Sequence, residues 1–488
     1  MQFFRKIVFY IFAAIYVVFC PLMVLYALGF IYKPGVEGGV TETGLIYLST
    51  APAGATIYMK DSRYVQNTPA SIQQLLPGEY PIKLTLEGYK PWAQTVPVEA
   101  KKATVLDKVL LLPLEWQEKT VLAGKFQDIL VVPGTDFFLL KKGPALKDIL
   151  VCSYKEGKAW PLIKPESPFS GAKIVSYFTV EKSSVCLFHV EAAQGDRFLR
   201  VEFEEDANTI EDLTGLFQQP PQQVEWTPQQ ETDLFAFQQG YLNRLDATSG
   251  AVYPEYIQNV RGYGLLDGEI YVLRDDNIFI KMDYDKNNAK TLLDEPALGE
   301  SIFGQEGFFR VKLLSEDFIL FLGTGGELLA NRLPYRFVEE GVKGIQFYPQ
   351  LERVLIWQKD RIAVLDFSAE QTKEGEFEKG PRLTWVYSGG KNIEQCFWVY
   401  ETSHILFRDG SDLFLAELEE YGKVTLNHIF AVKTGSTIYY SEDTGEVYFL
   451  DAASNALLSV GIVPVKGLIT TPFSEKKEED KTSGTDKP

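Results

Sequence analysis

The residues best suited to catalysis or metal binding are few and widely separated along this chain. The three histidines, His189, His404 and His428, have none of the spacings that bring two imidazoles to one metal ion. The sequence contains no H-E-x-x-H, C-x-x-C, Walker or G-x-S-x-G motif. A serine distant in sequence could still pair with His404 or His428, but no pattern predicts it. We therefore predict no catalytic, cofactor-binding or metal-binding residue, and the sequence leaves the residues of any binding surface unknown.

One acidic segment has side chains of the kind that bind calcium. Asp283-Tyr284-Asp285 is followed by Asn287-Asn288, and carboxylate and amide oxygens are typical Ca²⁺ ligands. However, the spacing of an EF-hand loop and its final glutamate are absent. We predict an ordinary solvated loop there.

The cysteines do not indicate a disulfide-rich protein. Of the four, Cys20 lies in an apolar N-terminal segment, which leaves Cys152, Cys186 and Cys396. Each of these three is next to apolar residues, as small buried core residues are. We predict buried thiols, and at most one disulfide bond, between Cys152 and Cys186.

The composition excludes several classes of protein. Among 488 residues, 48 are basic and 66 acidic, so the net charge of -18 argues against a nucleic-acid-binding protein. A hydrophobic fraction of 45% is too high for a disordered chain. Aromatic residues make up 13%, and 39 glycines and 25 prolines provide many turns. This combination indicates an all-β fold.

A membrane-spanning helix is predicted for residues 7–32. These 26 residues carry no charge, and as a helix they would be about 39 Å long, more than a bilayer core requires. Arg5 and Lys6 precede the segment, so residues 1–6 form a cytoplasmic stub and the rest of the chain lies outside the cytoplasm. Pro21 is expected to kink the helix. Two alternatives fit less well: cleavage after Ala27-Leu28-Gly29, because a signal peptide has a shorter apolar region, and lipidation of Cys20, because Phe19 precedes it.

A small β-domain follows, over residues 44–113. Short apolar stretches alternate with turn signals that contain glycine and proline, and Ile82-Lys83-Leu84-Thr85-Leu86 has the period of two that is typical of a strand. The spacing predicts a compact β-sandwich.

The turn residues of this domain resemble those of the PEGA domain. The matching positions follow the order P-x-G-A, T-P, L-x-P-G-x-Y and E-G-Y, and they are Pro52, Gly54, Ala55, Thr68, Pro69, Leu75, Pro77, Gly78, Tyr80, Glu87, Gly88 and Tyr89. One departure is the segment Lys60-Asp61-Ser62-Arg63, which replaces the usual Asp-Gly hairpin and is expected to form a longer turn. The resemblance implies an envelope-associated structural or binding module without catalytic residues.

Residues 114–464 contain a weak repeat of about 42 residues. Its clearest form is a strand that ends in aspartate, at Asp246, Asp283, Asp366 and Asp451. Four degenerate copies complete a series of eight: Ile149–Tyr154, Phe198–Phe203, Glu327–Asn331 and Asp412–Glu417. Hairpin signals such as Asp409-Gly410 precede several copies. Units of this length are typical of β-propeller blades. Eight blades are favoured over seven, the alternative in which residues 115–122 close the last blade. The repeat aspartates are predicted to cap turns rather than form an acidic ring.

In pattern, the repeat resembles TolB-like and WD-repeat propellers, without the Trp-Asp or Gly-His signatures of WD repeats. The segment Ser441–Tyr448 is also similar to the Asp-box of sialidase-like propellers, S-x-D-x-G-x-x-aromatic, which is a structural turn in that family. An ordinary Asp-Thr-Gly turn is the favoured interpretation. Residues 472–488 are polar and charged and are predicted to be disordered.

These elements predict an N-terminal transmembrane signal-anchor helix, a PEGA-like β-sandwich and a β-propeller. We expect a non-catalytic binding or scaffold protein in the cytoplasmic membrane of a bacterial cell envelope, with its C-terminal domains outside. A protein or cell-wall polymer of the envelope is the expected partner, without cofactor or nucleic acid. The alternatives are a propeller glycosidase or lyase, which requires two carboxylates with Arg or His at the channel mouth, and a sensor coupled to a membrane partner.

Overall fold

The computed structural model describes most of the chain. The described residues are 2–27, 30–33, 39–133, 135–179, 183–204, 207–227, 230–293, 296–304, 307–315, 318–331, 333, 335–367, 370–373, 376–379, 381–418 and 424–464. The chain divides into two compact units. The first holds the described residues of Met1–Trp116, Ser441–Glu446 and Gly461–Pro488, and the second holds those of Gln117–Tyr440 and Val447–Val460. The predicted disordered tail, residues 472–488, lies outside the described residues.

The first unit begins with a long helix and continues as a two-stranded sheet and two larger sheets. Its elements are α1 (Gln2–Ala27), β1 (Phe30–Lys33), β2 (Gly39–Glu42), β3 (Gly44–Ala51), β4 (Thr56–Met59), β5 (Ser62–Asn67), β6 (Ala70–Leu75), β7 (Gly78–Thr85), β8 (Trp92–Val98) and β9 (Ala103–Leu110). The strands form a three-stranded sheet in the order β6-β3-β9 and a four-stranded sheet in the order β5-β4-β7-β8. Buried aliphatic residues such as Ile46, Ile57 and Leu84 fill the core of this unit.

The N-terminal helix differs from the predicted one in its bounds. It contains Pro21 and ends at Ala27, whereas Phe30–Lys33 forms β1 and pairs antiparallel with Gly39–Glu42. The prediction of helix as far as Tyr32 was therefore wrong, because Phe30, Ile31 and Tyr32 favour a strand once a partner is available. Within the described part of the chain, no helix has both the length and the hydropathy that are needed to cross a membrane.

The second unit consists of four-stranded antiparallel blades. The first three blades are β11 (Asp128–Val131), β12 (Phe137–Lys141), β13 (Ile149–Ser153) and β14 (Lys158–Pro161); β15 (Lys173–Thr179), β16 (Val185–Ala192), β17 (Gly195–Glu204) and β18 (Ala207–Asp212); and β19 (Gln223–Thr227), β20 (Gln230–Gln238), β21 (Tyr241–Asp246) and β22 (Ala251–Ile257). Blades 4 and 5 are β23 (Val260–Leu266), β24 (Glu269–Arg274), β25 (Phe279–Asp283) and β26 (Lys290–Leu293); and β27 (Phe309–Leu313), β28 (Ile319–Gly323), β29 (Leu328–Ala330) and β30 (Arg336–Val338), with the helix α2 (Pro296–Phe303) between them.

The last three blades complete the series. They are β31 (Gly344–Tyr348), β32 (Arg353–Trp357), β33 (Arg361–Asp366) and β36 (Arg382–Ser388), with an inserted hairpin of β34 (Glu370–Lys373) and β35 (Glu376–Lys379); β37 (Ile393–Val399), β38 (His404–Asp409), β39 (Asp412–Glu417) and β40 (Thr425–Ala431); and β41 (Tyr439–Ser441), β42 (Glu446–Leu450) and β43 (Leu457–Gly461), joined by β10 (Glu118–Leu122). The described residues thus form eight four-stranded blades. The propeller has the favoured count of eight blades. The closing strand, which was expected only for seven blades, is also present, because β10 completes the eighth blade.

Apolar side chains between neighbouring blades close the ring. Each shared core takes residues from two consecutive blades, from blades 1 and 2 through to blades 6 and 7. Blade 8 packs on blade 1 through Tyr448, Leu450 and Leu457, which contact Phe138 and its neighbours. Blades 7 and 8 are linked by hydrogen bonds between the Gln395 side chain and the backbone of Ile438. The second unit is therefore a closed β-propeller, and the all-β prediction is confirmed, with 57% of the described residues in strands.

The predicted repeat corresponds to one strand position in the blade. Seven of its eight copies are third strands, from β13 in blade 1 to β39 in blade 7. The eighth copy, which ends at Asp451, was misassigned, because β42 is the second strand of blade 8. The physical reason is that every blade strand has similar apolar alternation, so a repeat detected by hydrophobicity can shift by one strand.

Candidate functional site

The first strand of each blade lies closest to the centre of the propeller, and we call these eight strands the inner strands: β11, β15, β19, β23, β27, β31, β37 and β41. Each pairs with the second strand of its own blade, and several contact the inner strand of the next blade. The strands β23 and β27 pair directly in parallel, at Gly262↔Phe309 and Tyr263↔Arg310. Because a ring of such strands surrounds the axis, their unburied side chains form the candidate binding surface.

Glycines on β23 permit this close approach of two blades. A Cβ atom at Gly262 would lie 2.6 Å from the carbonyl oxygen of Phe309, and one at Gly264 would lie 3.2 Å from that of Val311. Side chains at these positions would push β27 away. The two glycines therefore fix the position of β27 and of the two basic residues that it carries, Arg310 and Lys312.

The inner strands of blades 3 and 5 carry the most distinctive group of polar residues. On β19, Gln223 and Glu225 alternate with the buried residues Val224 and Trp226. On β27, the exposed residues Arg310 and Lys312 alternate in the same way with buried apolar residues. Period-two alternation places each polar pair on one face of its strand.

Glu225 is the carboxylate with the most perturbed acidity among these residues. Burial raises the pKa of Glu225 to about 7, while the charge of Lys312, a hydrogen bond from Gln223 and one from the backbone of Leu265 act in the opposite direction. The amide nitrogen Nε2 of Gln223 donates to Oε1 of Glu225 at 2.5 Å. Part of the Glu225 side chain remains accessible, but the protein around it replaces most of its hydration, which penalises the charged form. This carboxyl group can therefore exchange a proton near neutral pH.

Two other inner-strand carboxylates are engaged by hydrogen bonds. In blade 1, Oδ1 of Asp128 accepts from the backbone N–H groups of Ile129, at 2.8 Å, and of Thr437, at 3.0 Å. In blade 7, Glu394 accepts from Arg408 and from Asn392. These carboxylates hold blades and loops in place. Glu225 differs from them, because it is held by Gln223 on its own strand and lies near the charge of Lys312.

The histidines have structural environments. His404 is buried, which lowers its pKa to about 3, and its Nδ1 lies 2.8 Å from the hydroxyl of the adjacent Ser403. An imidazole that stays neutral in this way is a poor proton acceptor at neutral pH. His428 is half exposed and its Nε2 lies 3.1 Å from Asp412, and the ring of His189 stacks on Phe198. Within the described residues, no hydrogen bond, ion pair or ring contact joins any of the three to Glu225.

The repeat aspartates stabilise turns or strand pairs. Asp246 accepts from the backbone N–H groups of Thr248 and Ser249, and Asp451 accepts from that of Ser454 at 2.6 Å. Asp283 accepts from Asn288, and Asp366 pairs with Arg353 on the adjacent strand. Asp246 and Asp451 thus have the predicted turn-capping role. The carboxylates of Asp283 and Asp366 bind side chains.

The remaining sequence candidates are also explained structurally. All four cysteines are free, so the Cys152–Cys186 bond left open by the sequence is absent, and burial raises the pKa of Cys152 to about 12. In the calcium-like segment, Asp285 forms a salt bridge with Arg244 at 2.7 Å. No group of three or more metal-ligating side chains is present among the described residues. The Asp-box-like segment forms the turn between β41 and β42, where Gly445 has a φ of 65° and its N–H donates to the carbonyl of Ser441.

The PEGA-like motif residues build the core turns of the first unit. The Thr68 hydroxyl accepts from the backbone N–H of Ala55 at 2.9 Å and shares a hydrogen bond with the Thr50 hydroxyl at 2.6 Å. The Tyr80 hydroxyl donates to the carbonyl of Leu76 at 2.9 Å. The predicted longer turn near residues 60–63 was wrong: Met59 pairs with Ser62, and both turn residues between them, Lys60 and Asp61, have positive φ, as a two-residue hairpin requires.

Sequence reasoning missed Glu225, Arg310 and Lys312. Their signal was the alternation of polar and apolar residues in Gln223–Thr227 and Phe309–Leu313. That pattern marks a strand with one buried face, but it occurs in many strands of the chain. Only the closed ring reveals which of these strands surround the axis.

The small domain matches a known family of domains. Residues 43–111 match the family model of the PEGA domain, in agreement with the resemblance of the turn residues. No curated protein matches the sequence.

Solved structures similar to this chain are β-propellers or proteins of related shape. The β-propeller domain of Cps50 (Swd1) from Myceliophteria thermophila is 10% identical, with a TM-score of 0.40, over 71% of this chain and 99% of that one. The computationally designed Ika8 protein is 10% identical, with a TM-score of 0.44, over 70% and 99%. PorZ, a surface component of the type-IX secretion system of Porphyromonas gingivalis, is 12% identical, with a TM-score of 0.36, over 68% and 42%. The propeller assignment rests on the strand order and ring closure described above.

Proposed function

We propose that this protein is a non-catalytic binding or scaffold protein, anchored in the cell envelope, that presents its β-propeller as a binding platform outside the cytoplasm. The observation that carries the proposal is the varied chemistry of the inner strands. Blade 2 exposes Lys173 and Val175, blade 3 carries Gln223 and Glu225, and blade 5 exposes Arg310 and Lys312. A rigid ring with a different set of side chains on each blade can recognise a partner by its charge and shape.

Anchoring is supported by the side chains of α1. Large apolar residues are exposed on several sides of this helix, including Phe9, Phe12, Tyr16 and Phe19, each at least 60% exposed. A contiguous apolar surface of this kind is unfavourable in water and marks a segment that is covered by lipid or by another protein. Because Arg5 lies near its N-terminal end, the helix is proposed to anchor the chain in the cytoplasmic membrane with the N-terminus inside.

The PEGA-like domain is proposed to act as a stiff module of the scaffold. Its hydrogen-bonded threonines, Thr50 and Thr68, are at most 5% exposed, and they join segments that are 18 residues apart. Buried polar groups with satisfied hydrogen bonds favour one arrangement of a small core. The expected partner of the whole protein is an envelope protein or a cell-wall polymer.

The proposal is tested by capture of partners from envelope extract with the full chain in detergent. A retained partner that a heat-unfolded sample fails to retain is the expected result. Before detergent is added, the protein should sediment with membranes and resist extraction at high pH. Recovery of no partner by a folded propeller would contradict the platform, and full release from membranes by alkaline carbonate would contradict the anchor.

An enzyme that acts on envelope glycans is the second candidate function, and Glu225 is the observation that favours it. A carboxyl group with a pKa of about 7 is suited to donate a proton at neutral pH. Cleavage of purified cell-wall glycan by the wild type, lost in Glu225→Gln, would support catalysis. Equal and negligible turnover by both proteins would favour the binding function.

A further inference from the structure

Two basic residues lie on the inner strand of blade 5. Arg310 and Lys312 are exposed on β27, and among the described residues neither side chain has a hydrogen bond or salt bridge. Two positions along a strand separate their Cα atoms by about 6.6 Å. Several other strand arginines differ from Arg310, because carboxylates pair with Arg200, Arg244, Arg353 and Arg408.

We propose that Arg310 and Lys312 form a binding site for a single carboxylate or phosphate group at the centre of the propeller. Arginine donates two parallel hydrogen bonds to such a group, and lysine adds a mobile charge. The backbone under them is fixed by the parallel pairing with β23, so little order is lost on binding. This inference rests on the proposed binding function and names the ligand class of the same surface.

The charge of the whole protein restricts the ligand to a short anionic group. A net charge of -18 repels an extended polyanion. At physiological ionic strength this repulsion is screened beyond about 8 Å, whereas direct contacts with two basic side chains remain effective. The end of a ligand, with one carboxylate or phosphate, fits these conditions better than a long acidic polymer.

Glu225 makes the affinity of the site for an anion depend on pH. The groups that face it are Gln223 on its own strand, Tyr263 on β23, Tyr284 after β25 and Lys312 on β27. When Glu225 is ionised, it competes with the ligand for the charge of Lys312. When it is protonated, Lys312 is free to bind the anion, so the affinity rises as pH falls.

The test is isothermal titration of the full chain in detergent with sulfate, in place of a phosphate group, and with acetate, in place of a carboxylate. We expect Arg310→Gln combined with Lys312→Gln to weaken binding of the preferred anion at least about tenfold. The wild type should bind about fivefold more tightly near pH 6 than near pH 8, and Glu225→Gln should remove that difference. The anion that binds more tightly identifies the source of the group.

A matched control carries the same loss of charge elsewhere. Lys119 on β10 and Lys164 are exposed, and Lys119→Gln combined with Lys164→Gln should leave binding unchanged. Equal weakening by both double variants, unchanged binding in the Arg310 and Lys312 variant, or no binding of either anion by the wild type would each overturn the site. Thermal unfolding at the same midpoint confirms that the variants are folded.

Failure of this site and failure of the platform are distinguishable. If neither anion binds but envelope extract still yields a retained partner, the platform stands and the anion site is wrong. If the anions bind as expected and no partner is retained, the site stands and the macromolecular platform is wrong.

Discussion

In both the PEGA-like domain and the propeller, the motif residues form structural hydrogen bonds. The two domains differ because only the propeller has residues with unusual chemistry outside its motifs. In the small domain, the hydroxyl of the motif residue Thr68 forms hydrogen bonds that hold turns together. In the propeller, the repeat aspartates have the same structural role, as Asp246 and Asp451 illustrate. The residues with unusual chemistry, Glu225 and Lys312, belong to no motif.

A sequence motif and a functional site can therefore be separate features of one chain. A motif repeats because a turn needs a particular backbone or hydrogen bond. A binding surface in a ring depends on which residues happen to face the axis, and it differs from blade to blade. Substitutions of residues that hold the scaffold, and of residues at its turns, test this separation.

The largest effect is expected from Arg261→Ala in blade 4. The Arg261 side chain is 7% exposed and donates to the carbonyl oxygens of Phe303, Gly304 and Gly307 and to the side chain of Asn277. It thereby neutralises the C-terminal end of α2. Loss of these bonds leaves buried acceptors unsatisfied and should lower the free energy of unfolding by about 3–4 kcal/mol.

Denaturant unfolding of the propeller, followed by tryptophan fluorescence, measures this change. The control is Arg274→Ala, because Arg274 is partly exposed and pairs with Asp276 at 2.8 Å. Its loss should cost less than about 1 kcal/mol. Equal effects of the two variants would show that Arg261 does not hold the connection between blades 4 and 5.

Glu225→Gln should make the free energy of unfolding of the propeller less dependent on pH. The folded-state pKa of about 7 is above the ordinary value of 4.5, so the folded protein binds this proton more tightly than the unfolded chain. The free energy of unfolding therefore falls as pH rises between those values. At high pH the variant should be more stable than the wild type by on the order of 2 kcal/mol, because it lacks the cost of a buried charge.

Unfolding midpoints at several pH values measure this difference. The matched control is Glu394→Gln, which removes the partner of Arg408 and should destabilise the propeller at neutral pH. A Glu225 variant with the same pH profile as the wild type would refute the assignment of an uncharged carboxyl group at this inner strand.

Thr68→Val tests the small domain. Thr68 is 4% exposed, and its hydroxyl serves both Ala55 and Thr50. Valine keeps the shape but leaves the buried Ala55 N–H without its acceptor, while the Thr50 hydroxyl loses one bond and keeps the one that it donates to Pro52, so the free energy of unfolding should fall by about 2 kcal/mol. The control is Thr104→Val, which removes a single hydrogen bond to Pro97 and should cost about 1 kcal/mol. Hydrogen exchange of this domain measures both, and equal protection in the two variants would argue against a special role for the motif threonine.

Much of the fold could be predicted from the sequence, because turns and strands leave local signals. Gly54, Thr68 and Gly78 identified the small domain, and the Asp409-Gly410 pair marks the hairpin between β38 and β39. The helix α2 was not predicted, because the segment Pro296–Phe303 has only eight residues and gains stability from the distant residue Arg261. Local propensity does not report such a contact.

The candidate site could not be predicted, because it depends on ring geometry. Glu225 and Lys312 are 87 positions apart in sequence and interact only after blades 3, 4 and 5 have packed. The raised pKa of Glu225 comes from that packing and not from neighbouring residues in the chain. Sequence spacing therefore identifies the strands but not the strand faces that meet around the axis.

The smallest effect is expected at a repeat aspartate. Hydrogen bonds from the side chain and backbone of Ser454 lower the pKa of Asp451, so its stabilising contribution is present above the ordinary value of 3.8 and is lost as pH falls through the lower folded-state pKa. Asp451→Ala should therefore destabilise the propeller at neutral pH by less than about 1 kcal/mol and have no effect in strong acid. Ser454→Ala removes one of these bonds and should give a smaller change with the same pH dependence, as measured by unfolding midpoints. If Asp451→Ala instead abolished partner capture while the propeller stayed folded, the repeat aspartates would belong to the binding surface, and the separation between motif and site would be wrong for this propeller.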